Sequence, residues 1–318
     1  MIDTLGSFDV RVVSLPMRHR FRGIDRRDVV LLRGSSGWGE FSPFAEYPPE
    51  VTRRWLGAAL EAATGELPAP GRNVVEVNVT VPVVDPETAA RIVHESGART
   101  AKVKVGDPGQ GEGDDLARLE AVADALGEGG RIRVDVNGAW DVETAARRLT
   151  AMERFDLEYA EQPVATVGEM VELRRRVSVP LAADELIRRS DDPLEVVEKG
   201  GADYIVVKVQ PLGGVAAALD LARRAGVPAV VSSALETSVG MYTGLLAASL
   251  LERPMACGLN TVAMLAGDVT ADPLVARDGW IEVHRPQPDP DLLDRWAAPP
   301  DVADEMIRRL HDAARAAA

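Results

Sequence analysis

From about residue 75 onward, short β-branched runs alternate with alanine-rich stretches of helical period. This alternation restricts the fold more than any other feature of the sequence. The strand-like runs are VEVNVTVPV (75–83), TAKVKVG (100–106), RIRVDVN (131–137), LEYAEQP (157–163), PLAADE (180–185), YIVVKVQP (204–211), PAVVSSA (228–234) and ACGLN (256–260). Between them lie helical segments such as PETAARIVHESG, GDDLARLEAVADALG, DVETAARRLTAMERF, VGEMVELRRRV and LEVVEKGG. Eight strands recurring about every 25 residues make a βα repeat, whose natural closure is a TIM-type barrel. An open doubly wound sheet is the alternative. It is weakened because no glycine-rich phosphate loop follows the first strand.

The flanks have a different texture. Before residue 75, FDVRVVSL and DVVLLRG read as strands and GWGEFSPFAEYPP as a loop. PEVTRRWLGAALEAATG reads as a helix, with Pro49 near its start and Gly65 at its end. After about 285 the chain becomes rich in proline and aspartate, then ends in a helical stretch, DVADEMIRRLHDAARAAA. That tail is expected to pack on the N-terminal segment or the barrel exterior.

Composition excludes several classes. A net charge of -14 argues against nucleic acid and anionic membranes as partners. A small anionic substrate stays compatible, because a local positive site can sit on an acidic surface. The single cysteine, Cys257, permits no disulfide within the chain. MIDTLGSFDVRVVSL lacks the features of a signal peptide, and no apolar run is long enough to span a membrane. A cytoplasmic location is therefore expected.

Only four of the 36 basic side chains are lysine: Lys102, Lys104, Lys199 and Lys208. Arginine cannot give up its proton at working pH, whereas lysine can. Lys199 lies at a helix end before Gly200, where a cation suits the helix dipole. The other three lie inside apolar runs, where a charge is costly without a purpose. The acidic loop DPGQGEGDD (107–115) reads as solvated.

Charged residues then recur strand by strand. Lys102 and Lys104 lie in the second run, Asp135 in the third, Glu161 in the fourth, Asp184 and Glu185 at the end of the fifth, and Lys208 in the sixth. From Lys104 to Lys208 the spacings are 31, 26, 23 and 24 residues, about one βα unit each. Each strand thus offers a charged group near its C-terminal end, the active face of barrel enzymes. Strand alternation puts Lys102 and Lys104 on one face, and Arg133, Asp135 and Asn137 together on another strand's face. Asp135, Glu161 and Asp184 converge from neighbouring strands and would repel one another without a cation between them. An all-oxygen ligand set favours Mg²⁺, with Mn²⁺ as a possible substitute. Lys104 and Lys208 face each other across the barrel. Such a site removes a proton next to a carboxylate and stabilises the enediolate that forms. Two competing readings are salt bridges that plug a barrel core and a Schiff-base lysine at Lys208, which leaves the three acids unexplained.

The order K-x-K, Asp, Glu, Asp, Lys on consecutive strands resembles the muconate-lactonizing subgroup of the enolase superfamily, over nearly the whole chain. The resemblance implies a modified TIM-type (β/α)7β barrel, class α/β, with an α+β capping domain. Residues 1–75 would form the N-terminal capping domain, 76–285 the catalytic barrel, and 286–318 a tail returning to the cap. It implies Asp135, Glu161 and Asp184 as Mg²⁺ ligands, Lys104 as base, Lys208 as the opposing lysine and Lys102 as a helper beside the metal-bound carboxylate.

Within the subgroup, FRGIDRRDVVLLRG, GWGEFSPF, SSALETSVG and CGLNT are most similar to enzymes of menaquinone biosynthesis. Those enzymes dehydrate 2-succinyl-6-hydroxy-2,4-cyclohexadiene-1-carboxylate to 2-succinylbenzoate. The rival within the superfamily is N-succinylamino acid racemase, which uses the same two lysines. A mandelate-racemase pattern is disfavoured by Lys208 on the sixth strand, and a dipeptide-epimerase pattern by CGLNT, which offers only Asn260. Candidate substrate contacts are Arg22, Asn137, Ser232, Ser233 and Glu236. Phe21, Phe44 and Tyr47 in the cap loops (18–23 and 41–47) are suited to an apolar ring.

Overall fold

A computed structural model describes residues 6, 8–21, 23–190 and 192–317, without the side chains of His19 and Phe21. The chain begins with an antiparallel sheet in the order β1 (Asp9–Phe21), β2 (Ile24–Gly34) and β3 (Gly37–Phe41). Sequence placed β3 in a loop. It is a strand because Gly34 pairs with Gly37 across a tight turn, folding GWGEF back onto β2. Helix α1 (Pro49–Thr64) lies on this sheet. At Gly39 the approach is so close that a Cβ would fall 1.9 Å from the Ala59 carbonyl oxygen, so only glycine fits.

The barrel follows. Its parallel strands are β5 (Val79–Val81), β6 (Thr100–Lys104), β7 (Arg131–Asp135), β8 (Tyr159–Glu161), β9 (Leu181–Ala183), β10 (Tyr204–Val207) and β11 (Ala229–Val231), hydrogen-bonded in chain order. The ring closes through Cys257 and Gly258. Cys257 N–H donates to Glu76 O at 2.8 Å, and Gly258 N–H to Val231 O at 2.8 Å. The 75–83 run splits in two. β4 (Val74–Glu76) pairs antiparallel with β12 (Trp280–Glu282), and β5 joins the seven-stranded parallel sheet. The fold is the expected modified TIM-type (β/α)7β barrel of class α/β, with a cap.

Outer helices α2 (Pro86–Ser96), α3 (Glu112–Leu126), α4 (Val142–Met152), α5 (Val167–Arg174), α6 (Glu185–Arg188), α7 (Glu195–Glu198), α8 (Val209–Leu212), α9 (Val215–Ala225) and α10 (Ser238–Leu250) alternate with the strands. Their ends follow local chemistry. Asp85 accepts a hydrogen bond from Thr88 N to start α2, and Gly97 ends it in the left-handed conformation. Thr166 and Glu169 form a capping box on α5. Val103, Val134, Leu181 and Val207 pack outward with helix residues such as Leu119, Leu149 and Leu221, which turns the alternate, charged positions inward. Helix α10 is buried all round, from Ser238 to Ser249.

After α11 (Pro290–Arg295), the last helix, α12 (Pro300–Ala316), returns to the cap. Its Met306, Leu310, Ala313 and Ala314 share one apolar cluster with Val30, Leu32, Phe41, Trp55 and Leu56.

Candidate active site

Strand register sets the site. Lys104 is the direct neighbour of Asp135 across β6–β7, and Asp135 of Glu161 across β7–β8. One level lower, Lys102 neighbours Arg133, and Arg133 neighbours Tyr159. Asp184 and Lys208 follow immediately on β9 and β10. All of these except Arg133 and Tyr159 line one cavity of about 400 Å³ at the C-terminal ends of the strands, together with Thr80, Asn137, Glu185, Arg188, Arg189 and the loop Ser232–Leu235.

The charges are closely interlocked. Lys102 Nζ lies 3.0 and 3.1 Å from the two Glu161 oxygens and 3.3 Å from Asp135 Oδ2. Lys104 Nζ donates to Asp135 Oδ2 and Asn137 Oδ1, both at 2.6 Å. Lys208 Nζ reaches both Asp184 oxygens at 2.5 Å. Arg188 adds hydrogen bonds to Asp184 Oδ1 (3.2 Å) and Glu185 Oε1 (2.6 Å), and donates to the cap hydroxyl of Tyr47 at 2.6 Å. The base candidate is braced from behind: Arg118 donates to Lys104 O at 3.0 Å, fixed in turn by Asp115 at 3.0 Å. Asp115 belongs to the stretch expected to be solvated, yet it is fully buried and also accepts from Gly106 N at 3.0 Å.

The electrostatics expose a conflict among the acids. Burial, then the neighbouring Asp135 charge, pushes Glu161 up to about 7. Burial pulls Asp135 upward too, but Lys104 and then Lys102 overcome it and hold Asp135 well below the carboxylate range. Asp184 likewise falls to about 2, with Lys208 and then Arg188 outweighing burial. Lys102 is itself held above its ordinary range, because Glu161 and Asp135 outweigh its own burial. Glu185 Oε2 is buried with no hydrogen-bond partner.

These residues fit a hard divalent cation in their donor chemistry: three buried carboxylates, one of them raised by burial and by the adjacent Asp135 charge, beside an orphaned carboxylate oxygen. Among the described residues, no three of the carboxylates, histidines or cysteines form a ready cage. The carboxylates are turned onto the lysine ammonium groups instead.

The other candidates are divided. Asn137, Ser232 and Ser233 line the cavity. Ser233 Oγ shares a 2.6 Å hydrogen bond with Thr261 Oγ1. Glu236 is buried, accepts from Ala234 N at 2.8 Å and lies behind the cavity wall. Arg22 lies outside the described residues. Phe44 and Tyr47, their ring centroids 6.4 Å apart, pack at the seam of cap and barrel with Met17, Ala234, Leu235 and Leu265. Arg188 and Arg189, which line the cavity, were missed by sequence reasoning. They sit just past the fifth strand run and, among so many arginines, carry no distinguishing signal.

Known proteins resemble this chain. Residues 85–289 match the family described as Enolase C-terminal domain-like, and residues 12–63 match Enolase N-terminal domain-like. The chain is 59% identical over 276 residues to the o-succinylbenzoate synthase of Thermobifida fusca (strain YX), covering 86% of this chain and 87% of that protein. It is 47% identical over 304 residues to the o-succinylbenzoate synthase of Mycobacterium ulcerans (strain Agy99), covering 95% and 92%. Among solved structures, the muconate lactonizing enzyme from Pseudomonas fluorescens superposes with a TM-score of 0.77 at 21% identity, covering 92% of this chain and 98% of that one. The N-succinyl Arg/Lys racemase from Bacillus cereus ATCC 14579 also gives 0.77, at 20% identity, covering 91% and 96%. At such identities the two structures speak to the fold alone. Among the described residues, no helix is long and apolar enough to cross a membrane.

Proposed function

The chain belongs to the o-succinylbenzoate synthase family of the enolase superfamily, and on that premise we propose how its residues divide the work. The reaction is the dehydration of 2-succinyl-6-hydroxy-2,4-cyclohexadiene-1-carboxylate to 2-succinylbenzoate, a carbon–oxygen lyase step of menaquinone biosynthesis. Superfamily members generally use Mg²⁺. In this chain Asp135, Glu161 and Asp184 would hold it, and when bound it supplies positive charge beside the substrate carboxylate.

Lys104 is the base. Its Nζ takes the proton from the ring carbon bearing the carboxylate. Electron density moves into the carboxylate, and Lys102 stands beside it as a second cation. Lys104 then returns the proton to the hydroxyl leaving from the same face, so that water departs and the ring becomes aromatic. Lys208 stabilises the intermediate from the opposite face. The supporting observation is that Lys104 and Lys208, from strands β6 and β10, line one cavity with the three carboxylates between them in strand order. Aromatisation drives the reaction downhill. Asn137, Ser232 and Ser233 are proposed to contact substrate, and the cap loops, including Arg22, to set specificity. We also propose residues 1–75 as capping domain, 76–285 as catalytic barrel and 286–318 as the tail returning to the cap. We further propose that the enzyme acts in the cytoplasm on a small carboxylate, without nucleic-acid or membrane partners.

The direct test is formation of 2-succinylbenzoate, followed by its ultraviolet absorbance, with and without EDTA. Lys104→Ala and Lys208→Ala are each expected to lower kcat by about 10³-fold while calorimetry still detects Mg²⁺ binding. A fully active Lys104→Ala would remove the base assignment. A kcat/KM for N-succinyl amino acids equal to or above that for the dehydration substrate would reassign the enzyme as the racemase.

A further inference from the structure

The cap sheet sends two charged side chains into its seam with the barrel, and neither lines the active-site cavity. Arg27 on β2 is 3% exposed and Glu40 on β3 is 2% exposed. A guanidinium buried this deeply must have its donors matched. Backbone carbonyls match them. Arg27 Nε donates to Leu235 O at 2.9 Å, and Nη2 donates to Ala234 O at 3.0 Å and to Ser42 O. The guanidinium also lies over the Phe44 ring, 4.5 Å from its centroid. One side chain therefore ties two loops together. Ser42 and Phe44 belong to the cap loop after β3, and Ala234 and Leu235 to the barrel loop after β11.

The barrel loop needs such a hold. Leu235 has φ +63°, a left-handed conformation that a bulky L-residue adopts only when its surroundings impose it. Arg27 takes its carbonyl, Ser233 Oγ accepts from its N–H at 3.4 Å, and Glu236 accepts from Ala234 N at 2.8 Å. Glu40 fixes the far end. Its Oε2 accepts from Thr237 N (3.1 Å), Thr237 Oγ1 (2.6 Å) and Gly240 N (3.0 Å), at the start of α10. The near part of the same loop, Ser232–Leu235, forms one wall of the cavity, facing the ring of charges that includes Lys208.

We propose that Arg27 is a positioning residue for the dehydration: through the Ala234 and Leu235 carbonyls it sets the wall against which substrate packs, so that docking of the cap and shaping of the site are one event. This rests on the functional reading above. A merely structural Arg27 would lower stability and leave the substrate constants alone.

The test uses the full-length, Mg²⁺-loaded enzyme with Arg27→Lys and Arg27→Ala. Loss of the forked bonds removes binding shared by ground and transition states. KM for the dehydration substrate should rise about tenfold, with kcat held within about threefold. Millimolar guanidinium should restore KM in Arg27→Ala, whereas equal NaCl should not. A second arm needs no substrate: amide hydrogen exchange at Ala234–Thr237 should accelerate in Arg27→Ala while β6 and β7 stay protected. That arm is readable even if the wild-type enzyme makes no 2-succinylbenzoate, an outcome that would sink the functional reading instead. If Arg27→Ala does not fold, Arg27→Lys is combined with Leu235→Gly: glycine takes φ +63° without strain, so Arg27→Lys should raise KM less in the Leu235→Gly background than alone. An unchanged KM, a KM that guanidinium does not restore, unaltered exchange at Ala234–Thr237, or fully additive losses in the double variant would each overturn the proposal.

Discussion

At the scale of single residues, the site is a contest over which carboxylate stays ionised. Asp135 and Asp184 are secured by lysines, while burial and then the Asp135 charge push Glu161 up to about 7. A metal ligand must be deprotonated, so if Glu161 holds Mg²⁺ as proposed, binding below that point has to displace a proton. Mg²⁺ affinity is therefore expected to fall as pH drops through 7, by up to about tenfold per unit, and to level off above about 8. Calorimetric titration from pH 5.5 to 8.5 measures it. Glu161→Gln should bind more weakly and lose this dependence. A wild-type affinity flat across the range would remove Glu161 from the ligand set. The charged residues that line the cavity were legible because a charge inside an apolar strand run is anomalous on its face. The supporting arginines were not, because their work is done on backbone carbonyls that no sequence pattern marks. Arg118 reaches Val84 O and Lys104 O, Arg72 reaches Ser249 O and Leu251 O, and Arg309 reaches Pro43 O and Phe44 O. A forked guanidinium can staple two carbonyls in this way, which gives the arginine-rich composition a structural use.

At the scale of elements, the decisive joint is β3 against the start of α10. Two carboxylates serve that helix end: Glu40 at Thr237 and Gly240, and Asp268 at Ser238 N (3.2 Å). Acidic groups suit a helix N-terminus, but Glu40 is also buried near Glu236, and burial followed by that repulsion pushes it up to about 7 from 4.5. The folded protein thus binds this proton more tightly than the unfolded chain does. The stability linked to it is fully present below about 4.5 and is lost as pH rises through about 7. The amount is on the order of 3 kcal/mol. Between pH 5 and 8 the wild-type Tm should carry a downward contribution that Glu40→Gln lacks. Thermal denaturation of both proteins in matched buffers gives the difference, and parallel pH profiles would contradict it. The same joint shows why β3 was misread. GWGEF has glycines that look like loop punctuation, whereas Gly39 is there for close contact with α1 and Glu40 for contact with the barrel. The barrel strands were legible because each is a short apolar run between helices. Their ends were not, since VQP after Lys208 turns into α8 once the strand has delivered its lysine.

At the scale of the whole molecule, the two ends of the chain complete a single cap. The β1–β2–β3 sheet and α1 supply Val30, Leu32, Phe41, Trp55 and Leu56, but the cluster closes only with Met306, Leu310, Ala313 and Ala314 from α12, nearly the full chain away. Arg309 on α12 also grips Pro43 O and Phe44 O in the loop that leads from β3 toward the active site. The barrel, in contrast, is built from contacts between successive βα units. The cap core is therefore complete only when the tail has returned from the far side of the barrel. Removing residues 300–318 takes away one side of the cap core and leaves the strand ladder of the barrel intact. Burial of a large apolar side chain contributes about 1.5–3 kcal/mol, so losing Met306 and Leu310 together with the surface they cover outweighs what a small sheet and one helix can spare. The shortened chain should keep slow amide exchange in β6, β7 and β8, lose it in β2 and α1, and show a collapse of kcat/KM, because the cap loop and Arg27 no longer reach the barrel in register. Mass-resolved hydrogen exchange separates the two regions in one experiment. If β2 and α1 stayed as protected as in the full-length protein, the cap would be self-sufficient, and the tail would be an ornament rather than its second half.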